Sequence, residues 1–291
     1  MKLVLPAESS LLEAVRVLIP SASNRTLRQL LERGRVRLNG ETCKIAARRL
    51  VSGDVVEILA WGDFHPSVRG LQIVFEDKDI LLIEKPAGLL TVATPHEQER
   101  TAHAYLRQYL RERRPAQKLF VVHRLDKFAS GLLVFAKSKS VQARLQALFA
   151  SHNIQRRYWA IVEGRVEKEQ GTIRSYLAEN RLKRMHSTGD RSAGREAVTH
   201  YRVLRRFPQL TSLEITLETG RKNQIRVHLA ELGHPIVGDR AYGSKMNPMG
   251  RLGLHAFLLG FKHPTLGTPM LHTTKAPPEF RRYLDKRTNL V

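Results

Sequence analysis

The sequence predicts an α+β protein: a large domain with a largely antiparallel mixed sheet, preceded by a small N-terminal α+β domain. Two observations support this fold class. The first 60 residues combine two helical patterns with a hairpin, and the rest of the chain mixes many strand-like apolar runs with a few amphipathic helices. At 291 residues the chain also exceeds the usual size of one domain, which favours a division in two.

The small domain is predicted to begin with two helices within residues 8–33, separated by Pro20. Their apolar residues recur at helical spacing: Leu11, Leu12, Val15, Leu18, Leu27, Leu30 and Leu31. A strand at 35–38 then leads into Asn-Gly at 39–40, the strongest short hairpin signal. A second turn at 53–54 precedes the last strand of this domain.

Residues 61–70 carry turn residues with weak periodicity, which is typical of a linker. We therefore place the domains at residues 1–62 and 71–291 and the linker at 63–70. In the large domain, strands are predicted at 73–75, 80–83, 132–135, 158–162, 199–204 and 213–217, and helices near 101–112, 139–150 and 223–232.

The charge balance points to a polyanionic partner. Lys and Arg outnumber Asp and Glu by 49 to 27, which gives a formal net charge of +22 and a pI near 10.7. The excess is spread over the whole chain, and no apolar run approaches the roughly 20 residues that span a bilayer. Nucleic acid is therefore the favoured partner. A basic surface that only confers solubility and one that binds anionic lipid are the less favoured alternatives. The polar stretch 179–196 is expected to be a mobile basic loop, either solvated or in contact with RNA.

Several other classes of protein find no support. Cys43 is the only cysteine, so an intrachain disulfide and a thiolate metal cluster are excluded, as suits a reducing cytosol. The N-terminus lacks a secretory pattern, and the chain has no P-loop, dinucleotide fingerprint or HExxH-type spacing. We expect a cytoplasmic monomer that needs no cofactor and no metal.

Basic residues are concentrated at the end of the second helix and in the following strand. They are Arg28, Arg33, Arg35 and Arg37. This charge pattern favours RNA binding, and the run RGRVRLNG with the later SGD turn resembles the S4-like RNA-binding domain over roughly residues 10–60. Asn24 stands where that domain more often has Ser or Thr before the second helix, and all three can cap a helix.

The segment at residues 121–138 places a polar cluster between two apolar stretches. Its sequence is VVHRLDKFASGLLVFAKS. Asp126 lies between Arg124 and Lys127, so we expect its carboxylate to stay ionised at neutral pH, as a nucleophile or base. A structural ion pair with Arg124 is the alternative if the tetrapeptide HRLD is considered alone.

The full segment resembles the signature of RluA-type RNA pseudouridine synthases. The resemblance implies that Asp126 is the catalytic residue and that Ser130-Gly131 shapes the loop around it. Ala129 stands where that family usually has Thr, so one hydroxyl contact is missing.

A second segment, ETGRKNQIRVHLAELGHPIVGDRAYG at 218–243, resembles another block of the same family. There the resemblance implies that Arg226 pairs with the catalytic carboxylate. Asn223 replaces the commoner His, and it can hydrogen-bond but not titrate near neutrality. We expect the neighbouring Arg221 and Gln224 to contact RNA, together with Arg124.

Three further stretches fit the family, so that the resemblance covers roughly residues 70–280. They are LLIEKPAGLLT at 81–91, RRYWAIVEG at 156–164 and RLGLHAF at 251–257. The resemblance implies that Tyr158 contacts the target base, a role that suits a flat ring with a hydroxyl. Lys85 and Pro86 are expected to form the floor of the site and His255 to pack nearby.

The resemblance implies an isomerase that converts uridine to pseudouridine in structured RNA without a cofactor. The target base must be flipped out to reach a carboxylate. Large-subunit ribosomal RNA is the expected substrate, with transfer RNA as the alternative. Two other classes stay open: a catalytically silent RNA-binding assembly factor, and a metal-dependent nuclease using Asp126 with His123 and Asp239.

Overall fold

The computed structural model describes residues 2–20, 22–32, 34–58, 67–113 and 116–284. The chain divides into two compact units, residues 1–67 and 68–291. Of the predicted linker, residues 63–66 lie outside the described residues. No helix in the described ranges is long and apolar enough to cross a membrane.

The first unit packs two helices against small sheets. Its elements are β1 Lys2–Val4, β2 Ser9–Ser10, α1 Leu11–Leu18, α2 Asn24–Glu32, β3 Val36–Leu38, β4 Glu41–Thr42, β5 Arg49–Leu50 and β6 Val55–Ile58. The strands β1, β6, β3 and β4 form one sheet in that order, and β2 pairs with β5. The apolar positions predicted for α1 and α2 lie largely in the core of this unit.

Local signals predicted the turns of the first unit well. Leu38 pairs with Glu41, so Asn39 and Gly40 form a two-residue hairpin loop, and both have the positive φ that such a loop requires, 51° and 87°. The expected cap of α2 is wrong by one residue. The Ser23 hydroxyl accepts the Thr26 amide, while Asn24 is already helical.

The second unit is built on one large sheet, and the boundary between the units falls within its first strand. Its strands are β7 Ser67–Val68, β8 Leu71–Glu76, β9 Ile80–Lys85, β10 Phe120–Val121, β11 Ser130–Ala136, β12 Gln155–Glu163, β13 Gln170–Glu179, β14 Met185–Thr188, β15 Arg195–Arg206, β16 Leu210–Leu217, β17 Leu254–Lys262 and β18 Pro269–Thr273. Its helices are α3 Ala102–Arg113, α4 Lys139–Ala150, α5 Gln224–Glu231, α6 Pro278–Arg281 and a short 3-10 helix, Arg240–Tyr242.

The strand order of this sheet is β14-β13-β15-β16-β12-β17-β11-β9-β8-β7, with β10 beside β11 and β18 beside β17. The pairings are mostly antiparallel, as predicted, and β11 and β17 pair in parallel at the centre. The expectation of a loop over the whole of 179–196 is wrong, because β14 lies within it and pairs with β13. Polar residues on a solvent-facing edge strand hid this pairing from the sequence pattern.

Candidate active site

The loop that carries Asp126 is held from beneath at several points. We call residues 122–129, which lead into the central strand β11, the HRLD loop. The Thr91 hydroxyl donates to the Leu125 carbonyl (2.8 Å) and accepts the Leu125 amide (3.2 Å). The Gly88 amide donates to the Lys127 carbonyl at 2.8 Å, and the Ala129 amide closes a turn onto the Asp126 carbonyl at 3.2 Å. The loop backbone is therefore fixed before any ligand binds.

Lys85 is the central clamp beneath this loop. Its side chain is fully buried, and Nζ lies within hydrogen-bond distance of four carbonyls, those of Pro86 (2.9 Å), Leu89 (2.8 Å), Lys127 (3.3 Å) and Ala129 (2.7 Å), which share its three N–H donors. Burial lowers the pKa of Lys85 to about 7, and the nearby carboxylate of the HRLD loop opposes that shift. Lys85 thus ties the loop to the segment after β9.

Ser130 anchors the other end of the loop. Its hydroxyl lies 2.7 Å from His255 Nδ1 and accepts a hydrogen bond from Arg251 Nη2 at 2.6 Å. His255 Nε2 in turn lies 2.7 Å from the Thr274 hydroxyl. Burial, with a smaller contribution from Arg251, lowers the pKa of His255 to about 3, so the imidazole is neutral. His255 therefore serves packing and hydrogen bonding, as expected.

Asp126 faces a cation from α5. Arg226 Nη1 lies 3.5 Å from Asp126 Oδ2, and 22% of the Asp126 side chain remains exposed, so solvent and a ligand reach it. The alternative pairing with Arg124 is wrong for the described structure. Arg124 is exposed, and the ion pair that Asp126 forms is with Arg226.

Arg226 itself is positioned by a second carboxylate. Its Nε and Nη2 donate to the two oxygens of Asp239 at 2.7 and 2.8 Å, and only 2% of the Asp239 side chain is exposed. Nη1 donates to Asn223 Oδ1 at 3.0 Å, and the guanidinium lies 4.8 Å from the centre of the Tyr242 ring. Burial acts to lower the pKa of Arg226, but the two carboxylates outweigh it and raise the pKa.

Asn223 suits this position for a backbone reason as well. It precedes α5 with φ 54°, the left-handed region, which Asn tolerates better than most residues. Its Nδ2 donates to the Tyr242 hydroxyl at 3.1 Å. Asn223, one of the departures from the family pattern, thus bridges Arg226 and Tyr242 through its side-chain amide.

Tyr158 lies at a bulge in the sheet. The register between β12 and β17 shifts at Arg157/Tyr158, where Tyr158 pairs with Ala256, and bulges of this kind re-aim side chains. Burial raises the pKa of Tyr158; Arg156 opposes the rise and the Asp126 charge adds to it. The phenol is therefore neutral and within electrostatic range of Asp126.

Sequence comparison identifies the family. Residues 79–231, more than half of the chain, match the family model described as RNA pseudouridylate synthase. The chain belongs to this family. It is an isomerase that makes pseudouridine in RNA, as predicted, and residues 20–56 of the enzyme match the model of the S4 domain.

Relatives of this synthase cover most of its length. An uncharacterized RNA pseudouridine synthase of Aquifex aeolicus is 32% identical, over 90% of this chain and 88% of the relative. Ribosomal large subunit pseudouridine synthase D of Pasteurella multocida is 32% identical over 92% and 88%, and that of Escherichia coli K12 is 33% identical over 89% and 84%.

Solved structures support the fold of the synthase. Human RNA pseudouridylate synthase domain containing 4 superposes with a TM-score of 0.62 at 25% identity, over 72% of this chain and 92% of that one. Human RNA pseudouridylate synthase domain containing 1 gives 0.58 at 27% identity, over 75% and 88%.

The structure corrects two residues predicted to bind RNA. Gln224 is 2% exposed, and its amide is used internally by Thr219, Arg221, Val198 and Thr199. Arg35 of the first unit is 6% exposed. In both cases the side chain is too deeply buried to contact RNA.

The other predicted RNA-binding residues keep accessible side chains. Arg124, Arg221 and Arg28 are exposed, and Arg37 is half-buried. Arg33 lies outside the described residues. The structure leaves RNA contact by these arginines as a prediction.

His123 has a structural role that argues against the nuclease alternative. Its Nε2 accepts the Val134 amide at 3.2 Å, and burial, with a smaller contribution from Arg156, lowers its pKa to about 3. The ring is therefore a neutral acceptor committed to β11. Within the described ranges, no three His, Cys, Asp or Glu side chains form a group that could hold a metal ion.

Sequence reasoning assigned no role to Asp239 in the isomerase, although the GDRAYG run carried the signal. We expect Asp239→Asn to lower kcat roughly 10- to 100-fold, because a guanidinium with one acceptor fewer drifts from its position beside Asp126. Stability should fall by about 2–4 kcal/mol, since the partner of a largely buried cation is lost. Steady-state kinetics and urea unfolding measure the two effects. An unchanged kcat in the folded variant would show that Asp239 does not position Arg226.

Proposed function

We propose that this enzyme isomerises uridines of large-subunit ribosomal RNA, with Asp126 as its catalytic carboxylate. Within this proposal it acts as a cytoplasmic monomer. Residues 1–62 form an RNA-binding module, joined by residues 63–70 to the catalytic domain at 71–291. The observation that carries the proposal is the pairing of a solvent-accessible Asp126 with Arg226.

The chemistry needs only groups that surround Asp126. Pseudouridine formation breaks the bond from ribose to a ring nitrogen and forms one to a ring carbon, and every heavy atom of the nucleotide is retained. Arg226 Nη1 faces Asp126 at 3.5 Å, and Tyr158, which is neutral and 8% exposed, is the aromatic residue that we assign to the extruded base. Asp126 is thereby placed to attack the ribose, to attack the base or to remove a sugar proton.

Large-subunit ribosomal RNA is favoured because two relatives that match most of the chain carry that substrate in their names. The net charge of +22 provides the general affinity for RNA. Pseudouridine should be mapped in total RNA from cells with and without the gene, and in transcripts treated with purified protein. Pseudouridine found only in transfer RNA would make transfer RNA the substrate. Binding of RNA without formation of pseudouridine would refute the activity.

The RNA-binding role of the first unit has its own test. The double variant Arg28→Ala/Arg37→Ala should weaken RNA binding about equally for all sequences and lower the slope of log K against log salt by about 2. Fluorescence anisotropy at several salt concentrations measures this slope. Glu41→Gln in the same unit serves as a control for mutation at an exposed site. An unchanged slope would refute phosphate contacts by these arginines.

A further inference from the structure

Phe128 is an exposed aromatic residue in the same turn as the proposed catalytic carboxylate. Of the surface of this residue, 55% is open to solvent. The turn from Asp126 to Ala129 is closed by their backbone hydrogen bond, so the α-carbons of Asp126 and Phe128 lie within roughly 7 Å of each other. A large, exposed apolar residue thus lies two positions from Asp126 in the same turn.

The backbone on both sides of Phe128 is fixed from below. Lys85 Nζ donates to the carbonyls of Lys127 and Ala129, the two neighbours of Phe128, and Ala129 is buried. An exposed ring on a fixed turn loses little conformational freedom when a ligand packs on it. The Phe128 ring does not belong to the neighbouring core clusters of the unit. The fold therefore does not depend on packing of this ring.

The charges around Phe128 indicate what covers it. Arg124 and Lys127 are exposed on the same loop, and Lys127 Nζ lies 5.4 Å from the centre of the Phe128 ring. An apolar ring flanked by cations fits a nucleic acid, because bases stack on the ring while phosphates meet the cations. A neighbour of an extruded uridine has lost one stacking partner and exposes its face.

We propose that Phe128 stacks on the RNA base adjacent to the target uridine and so stabilises the opened RNA while the uridine occupies the site. This inference rests on the proposed function, since it places the uridine beside Asp126. Phe128 is then a determinant of substrate binding and choice, and Asp126 performs the chemistry. The ring acts with bases of any identity, although purines offer it a larger face.

The test is a set of Phe128 variants assayed on the transcript in which the wild type makes pseudouridine. Phe128→Ala and Phe128→Leu should raise KM roughly 5- to 100-fold, since stacking of one base is lost. Phe128→Tyr, which keeps the ring, should stay within about twofold of the wild type. Leu266→Ala, at a residue 63% exposed in the turn between β17 and β18, is the matched control for removing exposed apolar surface.

A second measurement distinguishes stacking on the neighbouring base from a general loss of RNA binding. Replacing the neighbouring nucleotide by an abasic residue should cost the wild type about as much as Phe128→Ala does, and cost Phe128→Ala nothing further. Additive losses, or a Leu variant as active as the Tyr variant, would overturn the proposal. So would a change of oligomeric state without a change in KM, which would make Phe128 a contact between protein copies. A wild type that makes no pseudouridine in any RNA would instead refute the proposed function.

Discussion

Replacing Asp126 by Asn is expected to reduce pseudouridine formation by at least roughly 1,000-fold, the size of effect seen when a group that performs the chemistry is removed. Asn has nearly the same shape but offers neither a negative charge nor a basic oxygen. It therefore neither attacks the nucleotide nor accepts its proton. The product is measured by mass spectrometry of the digested transcript under single-turnover conditions.

RNA binding by Asp126→Asn should be retained, because the basic residues that meet phosphate are unchanged. Asp190→Asn, at an exposed loop position, is the matched control and should leave the rate unchanged. Circular dichroism and urea unfolding establish that both variants fold. A rate within tenfold of the wild type for folded Asp126→Asn would end the catalytic assignment.

Replacing Gly131 by Ala is expected to destabilise the second unit by more than about 4 kcal/mol. A β-carbon at Gly131 would lie 2.1 Å from the carbonyl oxygen of Ala256, a contact between two backbones that no rotamer relieves. The residue also has φ +115°, which L residues rarely adopt. The clash falls where β11 and β17 pair in parallel, at the centre of the sheet.

Urea or thermal unfolding of Gly131→Ala measures this loss, and activity should disappear with the fold. Gly189→Ala is the matched control, because a β-carbon there meets nothing within 4 Å and its φ is not positive. We expect the control to unfold at the same denaturant concentration as the wild type. Equal stability of the two variants would show that β11 and β17 tolerate a wider separation than the structure has.

The predictions that the structure confirms rest on sequence patterns between residues close together in the chain. The Asn39-Gly40 turn and the helices of the first unit follow from residues a few positions apart. The strand β17 was missed for a physical reason. Nearly all of its residues are buried on both faces of the sheet, so it lacks the alternation by which a half-buried strand is recognised.

The strand β13 was missed for the opposite reason. It lies next to the end of the sheet, and most of its residues remain partly or fully exposed. Few apolar positions therefore mark its inner face. Its pairing with β15 joins residues 18 to 32 positions apart, which local sequence does not encode.

By itself the sequence determined the family and indicated a polyanionic partner, and it singled out Asp126 as the predicted catalytic carboxylate, because charge and contiguous motifs are local properties. Only the tertiary structure decided which cation faces that carboxylate. Arg124, two residues away, points to solvent, whereas Arg226 arrives from α5 and is held there by Asp239. The direction of a side chain depends on how a sheet and a helix pack, and distance along the chain does not reveal it.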